Sequence, residues 1–557
     1  MRILFLTHAF NSLTQRLYVE LTARGHQVSV EFDINDAVTE EAVALFRPEL
    51  ILAPYLRRAI PETVWRAHVC LIVHPGIVGD RGPSALDWAI LNGASEWGVT
   101  VLQAEAEMDA GPVWAAETFG MRPAMKSSLY RNEVTEAAVR AVFTALDRLP
   151  DYRTGRWQPQ VPTLLPMHPL LRQSQRAIDW QQDDTARVMA KIHAGDGFPG
   201  VRDQLFGQPC HLFNARQFAA SGIPGEILGR AGEGVVRATR DGALWIGHVK
   251  RSDGKRSDGI KLPCALAFPE VVKLPQLAGF DDAIIYTEHG DVGYLSFDFY
   301  NGAMGTVACE RLLAAYQAAT QRPTRVIVLL GGTDFFSNGL DLNRIEASDS
   351  APDASWHNIN AMDDLCQAII ETQSHLTVSA LRGNAGAGGA FLALAADQVW
   401  SRRGVVLNPH YKNMGNLYGS EFWSYLLPPR VGTRVAKDIM RRRLPLGAAE
   451  AESIGFVDAV FGDDPAGFIS EVETRAAALA ENFIESLAAK RQKRAADEAI
   501  KPLAAYRAEE LLQMQRNFYG FDPSYHVARH NFVAKVLHSW TPRHLALHRE
   551  LGWKVPE

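Results

Sequence analysis

The stretch CLIVHPGIVGDRGPSALDWAI, residues 70–90, joins an apolar strand, a glycine-rich loop and the start of a helix. The strand runs into His74, and Pro83 suits the first turn of the following helix. This order predicts that His74 lies at the carboxyl end of a strand, the edge where open α/β sheets build their sites. A single histidine there is more often structural than catalytic. The stretch therefore predicts an α/β fold but does not by itself identify an activity.

The segments around this stretch alternate short apolar runs with helical periodicity, which predicts an open, mostly parallel α/β sheet. The predicted helix is residues 13–24, and the predicted strands are residues 2–7, 28–32, 50–53, 69–73 and 99–104. The first strand leads into THAFNSLTQ and lacks the GxGxxG motif, so a dinucleotide site is disfavoured.

The predicted secondary structure changes several times along the remainder of the chain. Clustered prolines predict a linker, turn-separated β segments predict a small OB-like β-barrel, and a renewed strand–helix alternation predicts a second α/β core. The last part is rich in residues that favour helix. The predicted boundaries are an α/β unit over 1–150, a linker over 151–170, a barrel over 171–275, a second α/β core over 280–470 and a helical cap over 471–557.

Composition narrows the class of protein. The 557 residues are 47% hydrophobic and 22% charged, which is typical of folded globular domains. A net charge of -6 disfavours nucleic acid as the main partner. The five cysteines form no CxxC pair, which favours a reducing cytoplasm over a disulfide framework. No signal segment or run of ~20 apolar residues is apparent, so we expect no membrane association.

A second polar residue follows another predicted strand. The segment GVTVLQAEAEMDAGPVW, residues 98–114, carries Asp109 in a turn after strand 99–104. An isolated Asp in a turn is usually a turn former. Together with His74, however, a carboxylate at a sheet edge could form an acid/base pair.

These motifs, in this order, resemble the formyltetrahydrofolate-dependent formyltransferases. The resemblance covers residues 1–270 and extends to IDW at 178–180, FPG at 198–200 and GEI at 225–227. It implies that folate binds beside the loop and that His74 and Asp109 carry formyl transfer. The implied folate-loop residues are Ile72, Arg81, Gly82 and Pro83. Many members have Asn at the position of Ile72, and this departure moves the expected formyl acceptor from an amine to a thiol.

Two further strand–turn–helix segments lie in the second α/β core: VIVLLGGTDFFSNGLDL, residues 326–342, and LRGNAGAGGAFLALAAD, residues 381–397. A single glycine-rich turn usually reflects close packing, but such turns also free N–H groups for an anion. With DFYNGAMG at 298–305 and RRLPLGAAEAESIGFVDAV at 442–460, they resemble the crotonase (enoyl-CoA hydratase/isomerase) superfamily over about residues 280–470. The resemblance implies that the N–H groups of Leu340 and Gly388 polarise a thioester carbonyl of an acyl-CoA.

The departures from that superfamily bear on the reaction. Phe391 and His410 occupy the positions of the two hydratase glutamates, so hydratase chemistry is disfavoured. The segment HYKNMGNLYGSEFW presents Tyr411 and Glu421 instead, which separately would be a packing residue and a surface charge. Beside an oxyanion hole they become candidate catalytic groups. The candidates for binding the CoA phosphates are Arg441, Arg442, Arg443, Arg529 and Lys535.

The order of the two modules resembles the HypX/HoxX family of NiFe-hydrogenase maturation proteins over nearly the whole chain. That resemblance implies formyl transfer from N10-formyltetrahydrofolate to CoA and decarbonylation of formyl-CoA to CO, the ligand of the hydrogenase iron. One alternative is a formyltetrahydrofolate hydrolase or transferase fused to an ordinary acyl-CoA hydrolase or isomerase. Another is a non-enzymatic maturation scaffold or metal chaperone, although the 17 histidines show no grouping strong enough to suggest a metal site.

Overall fold

The computed structural model describes residues 1–252, 254, 259–279 and 283–550. The chain divides into two compact units, Met1–Phe280 with His538–Glu557, and Asp281–Leu537. Both units mix helices with β-sheets, which confirms the predicted α/β class. All five cysteines are buried and unpaired.

The first sheet has six strands in the order β2-β1-β3-β4-β5-β6. Its strands are β1 (Arg2–Thr7), β2 (Gln27–Phe32), β3 (Leu50–Tyr55), β4 (Cys70–His74), β5 (Glu96–Gln103) and β6 (Val113–Gly120), and its helices are α1 (Ser12–Ala23), α2 (Asp36–Phe46), α3 (Glu62–Trp65), α4 (Ala85–Leu91), α5 (Lys126–Leu129) and α6 (Thr135–Arg153). The pairings among β1 to β4 are parallel, whereas β5 and β6 are antiparallel. The predicted mostly parallel sheet is therefore confirmed, and β4 ends at His74.

The second sheet is antiparallel, with the order β7-β8-β11-β10-β9 and β12 paired to β11. It comprises β7 (Val201–Leu205), β8 (Gln208–Phe218), β9 (Ile227–Ala231), β10 (Gly234–Ala238), β11 (Ala243–Arg251) and β12 (Lys261–Pro263), with helices α7 (Gln173–Arg176), α8 (Thr185–Gly195) and α9 (Cys264–Ala267).

The predicted closure of this sheet into a barrel is wrong for the described strands, since no pairing joins β7 to β9. Other groups satisfy both edges. The backbone of Arg230 in β9 exchanges hydrogen bonds with Pro275 and Leu277, and the side chain of Gln173 accepts from the Arg202 N–H in β7. With its edges covered in this way, the sheet does not need to close.

The other unit contains two sheets, with orders β13-β14-β15-β17-β19-β22 and β16-β18-β20-β21. Their strands are β13 (Ile284–His289), β14 (Val292–Phe297), β15 (Val326–Leu330), β16 (Phe335–Ser337), β17 (Leu376–Leu381), β18 (Asn384–Gly386), β19 (Gln398–Arg402), β20 (Val406–Asn408), β21 (Leu446–Gly447) and β22 (Ala459–Phe461). In this unit, β15, β17 and β19 of the six-stranded sheet are each followed by a short strand of the four-stranded sheet, β16, β18 and β20. The neighbouring strands within each of these two sets are parallel, so successive turns of the chain stack on one another.

Helices surround these sheets and form the C-terminal part of the unit. They are α10 (Thr306–Ala319), α11 (Leu342–Ala347), α12 (Ala351–Ile370), α13 (Gly388–Leu394), α14 (Trp423–Val431), α15 (Thr433–Arg442), α16 (Ala448–Ser453), α17 (Pro465–Glu481), α18 (Phe483–Ile500), α19 (Leu503–Tyr519) and α20 (Ser524–Ala534). The predicted helical character beyond residue 471 is confirmed as far as α20. After α20 the chain leaves this unit, and the described residues from His538 onward belong to the first.

This terminal segment covers the edge strand β2. The N–H of Val30 donates to Leu545 O over 2.9 Å, and the N–H of Phe32 donates to Thr541 Oγ1 over 2.8 Å. Between them, the buried Glu31 pairs with His548 and Arg549 at 2.8 Å each. The segment therefore supplies the partners that an edge strand otherwise lacks.

Substitution of Glu31 by Ala is expected to cost about 3–5 kcal/mol of stability, since it removes the buried acceptor of the Thr541 hydroxyl and the His548 ring and the nearer counter-charge of Arg549. Burial alone would raise the pKa of Glu31, but hydrogen bonds from His548 and Thr541 hold it below its usual value. Denaturant unfolding and hydrogen exchange in β2 measure the effect. Glu41→Ala is the control, because exposed Glu41 pairs with the same Arg549 and should contribute less than about 1 kcal/mol. Equal losses for both variants would contradict the prediction.

Candidate active sites

The first candidate site lies at the carboxyl end of β4. The imidazole of His74 is only 5% exposed, and its Nε2 lies 2.8 Å from Asp80 Oδ2. Its Nδ1 lies 3.8 Å from Asp109 Oδ2. The structure thus brings together His74 and Asp109, which the sequence predicts as an acid/base pair. It also places a second carboxylate, that of Asp80, against the same ring, and sequence reasoning missed this residue.

The turn that carries Asp109 is tied to the glycine-rich loop. Asp109 has a left-handed backbone with φ 53°, and its Oδ2 accepts a hydrogen bond from the Gly82 N–H over 3.1 Å. Gly82 itself has φ 98°, and a Cβ there would lie 2.2 Å from His168 O. Only glycine fits this position.

The other predicted folate-loop residues surround the same edge. Ile72 is half-buried in β4, between Ala53 and Leu102 of the neighbouring strands. Arg81 pairs with Glu107 and donates from Nε to a backbone carbonyl over 3.2 Å, whereas Pro83 is exposed. Arg81 thereby fixes the position of the loop.

The second candidate site is built from two turns of the other unit. Gly388 is the first residue of α13, where an N–H has no acceptor within its own helix. A Cβ on Gly339, the residue before Leu340, would lie 3.2 Å from Gly388 N, so the two turns are in contact. Within the described part of the chain, the N–H groups of Leu340 and Gly388 have no acceptor. This arrangement can receive a carbonyl oxygen.

Glu421 lies against Gly388 and is 1% exposed. Its Oε2 accepts hydrogen bonds from the Tyr411 hydroxyl over 2.5 Å and from the Ser420 N–H over 3.2 Å. Its Oε1 is buried without a partner among the described residues, and a Cβ on Gly388 would lie 2.1 Å from it. A buried, unsatisfied carboxylate oxygen beside free N–H groups is the arrangement expected of a reacting group.

Two buried carboxylates hold the backbone that carries Glu421. Glu421 and Phe422 both have left-handed backbones, with φ 57° and 59°, a strained pair for residues with side chains. The N–H of Glu421 donates to Asp363 over 2.8 Å, and the N–H of Phe422 donates to Glu510 over 2.9 Å. Asp363 also accepts from Ser420 Oγ. These contacts keep the carboxylate of Glu421 directed toward Gly388.

Sequence reasoning missed Asp363 and Glu510, although helical periodicity carries a signal for both. Asp363 falls on the apolar stripe of α12, and Glu510 falls on that of α19. A carboxylate on a buried stripe is rare unless it has partners. The stripes are formed by Ile359, Met362, Cys366 and Ile370 in α12 and by Leu503, Met514 and Phe518 in α19.

Burial shifts the titration of this cluster toward neutral acids. Desolvation, and then the charge of Asp363, raises the pKa of Glu421 to about 8. Desolvation also raises the pKa of Glu510 to about 8 and that of Asp363 to about 6. The pKa of the Tyr411 phenol is raised well above its usual value by the same cause. Glu421 is thus predominantly protonated near neutral pH, and its ionised form is a stronger base than an exposed carboxylate.

The raised pKa of Glu510 predicts that this unit loses stability as pH rises. Between its unfolded value near 4.5 and about 8, the unfolded chain releases a proton that the native chain keeps. The unfolding free energy therefore falls by up to about 1.4 kcal/mol per pH unit for this group. Urea unfolding at several pH values should show a flatter dependence for Glu510→Gln. Glu509→Gln is the control because Glu509 is exposed on the same helix, and a slope that neither variant alters would contradict the prediction.

The remaining predicted positions lie nearby or on the surface. Phe391 is fully buried, and its ring stacks on Tyr411 with centroids 5.5 Å apart. His410, at the other position that the resemblance assigns to a hydratase glutamate, is also buried. Arg442 pairs with Glu450 at 2.9 Å, and buried Arg529 pairs with Glu346 at 2.8 Å.

The other three candidates for CoA phosphates are solvent-accessible. Arg441 and Lys535 are exposed, while Arg443 is half-buried and donates to Asn416 over 2.6 Å. In the described ranges, no cluster of His, Cys, Asp and Glu has a geometry suited to a metal ion. Nor does any helix described there combine the length and apolarity that crossing a membrane requires.

Comparison with known proteins agrees with this division. The formyl transferase family matches residues 1–146, its C-terminal domain family matches residues 170–262, and the enoyl-CoA hydratase/isomerase family matches residues 301–541. A methionyl-tRNA formyltransferase from Roseiflexus castenholzii is 33% identical, over 40% of this chain and 72% of its own. The chain is thus a formyltransferase-type unit followed by an enoyl-CoA hydratase/isomerase-type unit.

Two relatives match the whole arrangement. The hydrogenase maturation factor HoxX of Bradyrhizobium diazoefficiens is 55% identical over 99% of this chain and 97% of its own. The crystal structure of HypX from Aquifex aeolicus in complex with tetrahydrofolic acid is 47% identical, with a TM-score of 0.94 and full coverage of both chains. The chain belongs to the HoxX/HypX family of hydrogenase maturation factors.

Proposed function

We propose that this chain transfers a formyl group from N10-formyltetrahydrofolate to CoA and then decarbonylates formyl-CoA to CO and CoA. The observation that carries the proposal is the buried Oε1 of Glu421, which lacks a partner beside Gly388. A buried carboxylate of raised basicity next to an oxyanion hole suits removal of a formyl proton better than addition of water.

The first step is acyl transfer at His74. The CoA sulfur bonds to the formyl carbon, the bond from that carbon to N10 breaks, and the thiol proton moves to N10. The imidazole of His74 carries this proton, and Asp109 stabilises the ring while it is charged. Support comes from the placement of His74 Nδ1 at 3.8 Å from Asp109 Oδ2 and from the tetrahydrofolate complex of the Aquifex aeolicus relative.

The second step breaks the C–H and C–S bonds of formyl-CoA. The N–H groups of Leu340 and Gly388 hold the formyl oxygen, and ionised Glu421 takes the formyl proton. The C–H electron pair stays on carbon as CO forms, and the C–S pair leaves on sulfur. The proton passes from Glu421 to the thiolate, while the Tyr411 hydroxyl stabilises the departing charge by a hydrogen bond. Glu421 returns to its initial state, and CoA is regenerated.

CoA binding requires local positive charge for its phosphates. Arg441, Arg443 and Lys535 are accessible in this unit, whereas Arg529 is already neutralised by Glu346. We assign the phosphates to the accessible group. The CO product would serve as the ligand that hydrogenase maturation requires, in keeping with the role in the name of the Bradyrhizobium relative.

The test supplies formyltetrahydrofolate and CoA to the full chain, traps CO on reduced haemoglobin and quantifies formyl-CoA by chromatography. Stoichiometric CO that requires both substrates is the expected result. Formate or hydrolysed thioester without CO would instead identify a formyltetrahydrofolate hydrolase fused to an ordinary acyl-CoA enzyme. No turnover of either substrate would favour a maturation scaffold.

A further inference from the structure

Asp80 lies between two histidines in the first unit. It is 2% exposed, with Oδ2 at 2.8 Å from His74 Nε2 and Oδ1 at 3.1 Å from His168 Nδ1. His168 belongs to the segment between α6 and α7 that the sequence predicts to be only a linker, and it is half-buried. A carboxylate with both oxygens bonded to rings has little freedom to rotate.

The segment is fixed to the loop by several contacts. The N–H of Leu165 donates to Gly79 O and the N–H of His168 donates to Arg81 O, both over 2.9 Å. The His168 ring stacks on Trp88 at 5.7 Å, and Trp88 Nε1 donates to Pro169 O over 2.9 Å. The position of the His168 ring is therefore determined by both backbone and side-chain contacts.

The loop is also shaped around the contact between His74 and Asp80. A Cβ on Gly76 would lie 2.4 Å from both His74 Nε2 and Asp80 Oδ2. The Thr100 hydroxyl donates to Gly76 O over 2.8 Å and holds this glycine in place. The backbone thus passes against the hydrogen-bonded pair and leaves no room for another arrangement of the two side chains.

We infer that Asp80 and His168 are positioning residues that fix the tautomer of His74. A carboxylate only accepts hydrogen bonds, so Asp80 places a proton on Nε2 of His74 and leaves Nδ1 without one. Nδ1 faces Asp109 at 3.8 Å and becomes the nitrogen that takes the thiol proton. This inference deepens the proposed formyl transfer and rests on it. It gives the linker a role in catalysis, because His168 holds the second oxygen of Asp80.

The test combines kinetics with nitrogen-15 NMR of histidine side chains, with His74 assigned by the loss of its signals in His74→Gln. The wild-type chain should show a protonated Nε2 and an unprotonated Nδ1. Asp80→Asn should lower kcat for formyl-CoA formation about 10–100-fold with little change in the KM for folate, and the tautomer signature should be lost. His168→Phe should lower kcat in the same sense, since it retains stacking on Trp88 but loses the donor to Asp80. His168→Asn, whose amide can replace the Nδ1–H donor, should recover most of the rate.

The matched control is His289→Phe in the other unit. Exposed His289 also directs Nδ1 at a carboxylate, Glu473, and contacts an aromatic ring, Tyr294. It should change neither the rate nor the His74 signals. A protonated Nδ1 in the wild-type chain, or an unchanged signature in Asp80→Asn, would overturn the inference. Absence of formyl-CoA formation by the wild-type chain would overturn the proposed function instead, and the NMR signature would still decide the tautomer.

Discussion

Replacement of Glu421 by Gln is expected to lower CO release by about 10²–10⁴-fold while formyl-CoA formation continues. The amide can still accept the Tyr411 hydroxyl, so the geometry is retained, but it cannot take the formyl proton. Formyl-CoA should accumulate in place of CO. Haemoglobin trapping and chromatography of the same reaction measure both quantities.

The same residue predicts the pH dependence of CO release from added formyl-CoA. The base must be ionised, and burial raises the pKa of Glu421 to about 8. The rate should therefore rise as pH increases toward 8 and level off above it, unlike that of an ordinary exposed glutamate. A rate already constant above pH 6 would contradict Glu421 as the base.

Two further variants distinguish the loss of a catalytic group at this site from a disturbance of the packing around it. Tyr411→Phe keeps the ring that stacks on Phe391 but removes the hydroxyl, so it should lower CO release less than Glu421→Gln does. Asp364→Asn is the control, since Asp364 is next to buried Asp363 but is paired with Arg507 near the surface. CO release by Glu421→Gln at the wild-type rate would remove the carboxylate from the mechanism.

The parts of the sites that lie at strand ends could be predicted from sequence. His74 ends β4, and Gly388 begins α13 directly after a short strand. Both positions follow from local patterns of apolar residues, glycine and proline within about 20 residues. These patterns depend only on neighbouring residues, so the sequence alone is enough to predict that His74 and Gly388 lie at the ends of strands.

The supporting residues could not be predicted in the same way. Asp363 meets Glu421 across 58 residues of sequence, Glu510 meets Phe422 across 88, and His168 meets Asp80 across 88. No local pattern encodes such pairings, which depend on how elements pack. Similarly, the open form of the predicted barrel depends on Pro275 and Gln173, which cover strand edges from outside the sheet.

The residues beyond 471 also show that long-range contacts cannot be predicted from local sequence patterns. Their composition correctly predicts helices up to α20, because helix propensity is local. The partnership of residues beyond His538 with β2 depends on Glu31, more than 500 positions earlier, as the hydrogen bond to His548 across 517 residues shows. A sequence pattern can indicate that a segment is helical or extended, but it does not indicate which strand that segment will cover.

Substitution of His74 by Gln should produce the opposite phenotype to Glu421→Gln. Formyl-CoA formation from formyltetrahydrofolate is expected to fall by about 10²–10⁴-fold, because no group remains to carry the thiol proton to N10. Asp109→Asn should act in the same direction, since it removes the charge that stabilises the imidazolium. CO release from added formyl-CoA should stay at the wild-type rate in both variants, because the second step uses only groups of the other unit.

The control is His68→Gln, which changes a half-buried histidine just before β4 and should leave both reactions unaltered. If His74→Gln lost both activities, the imidazole would be serving the fold rather than one reaction, and unfolding measurements would show it. If it lost neither, formyl transfer would have to occur elsewhere. Opposite defects in the His74 and Glu421 variants are what two separate sites acting in sequence require. Supplying formyl-CoA should restore CO release by the His74 variant but not by the Glu421 variant.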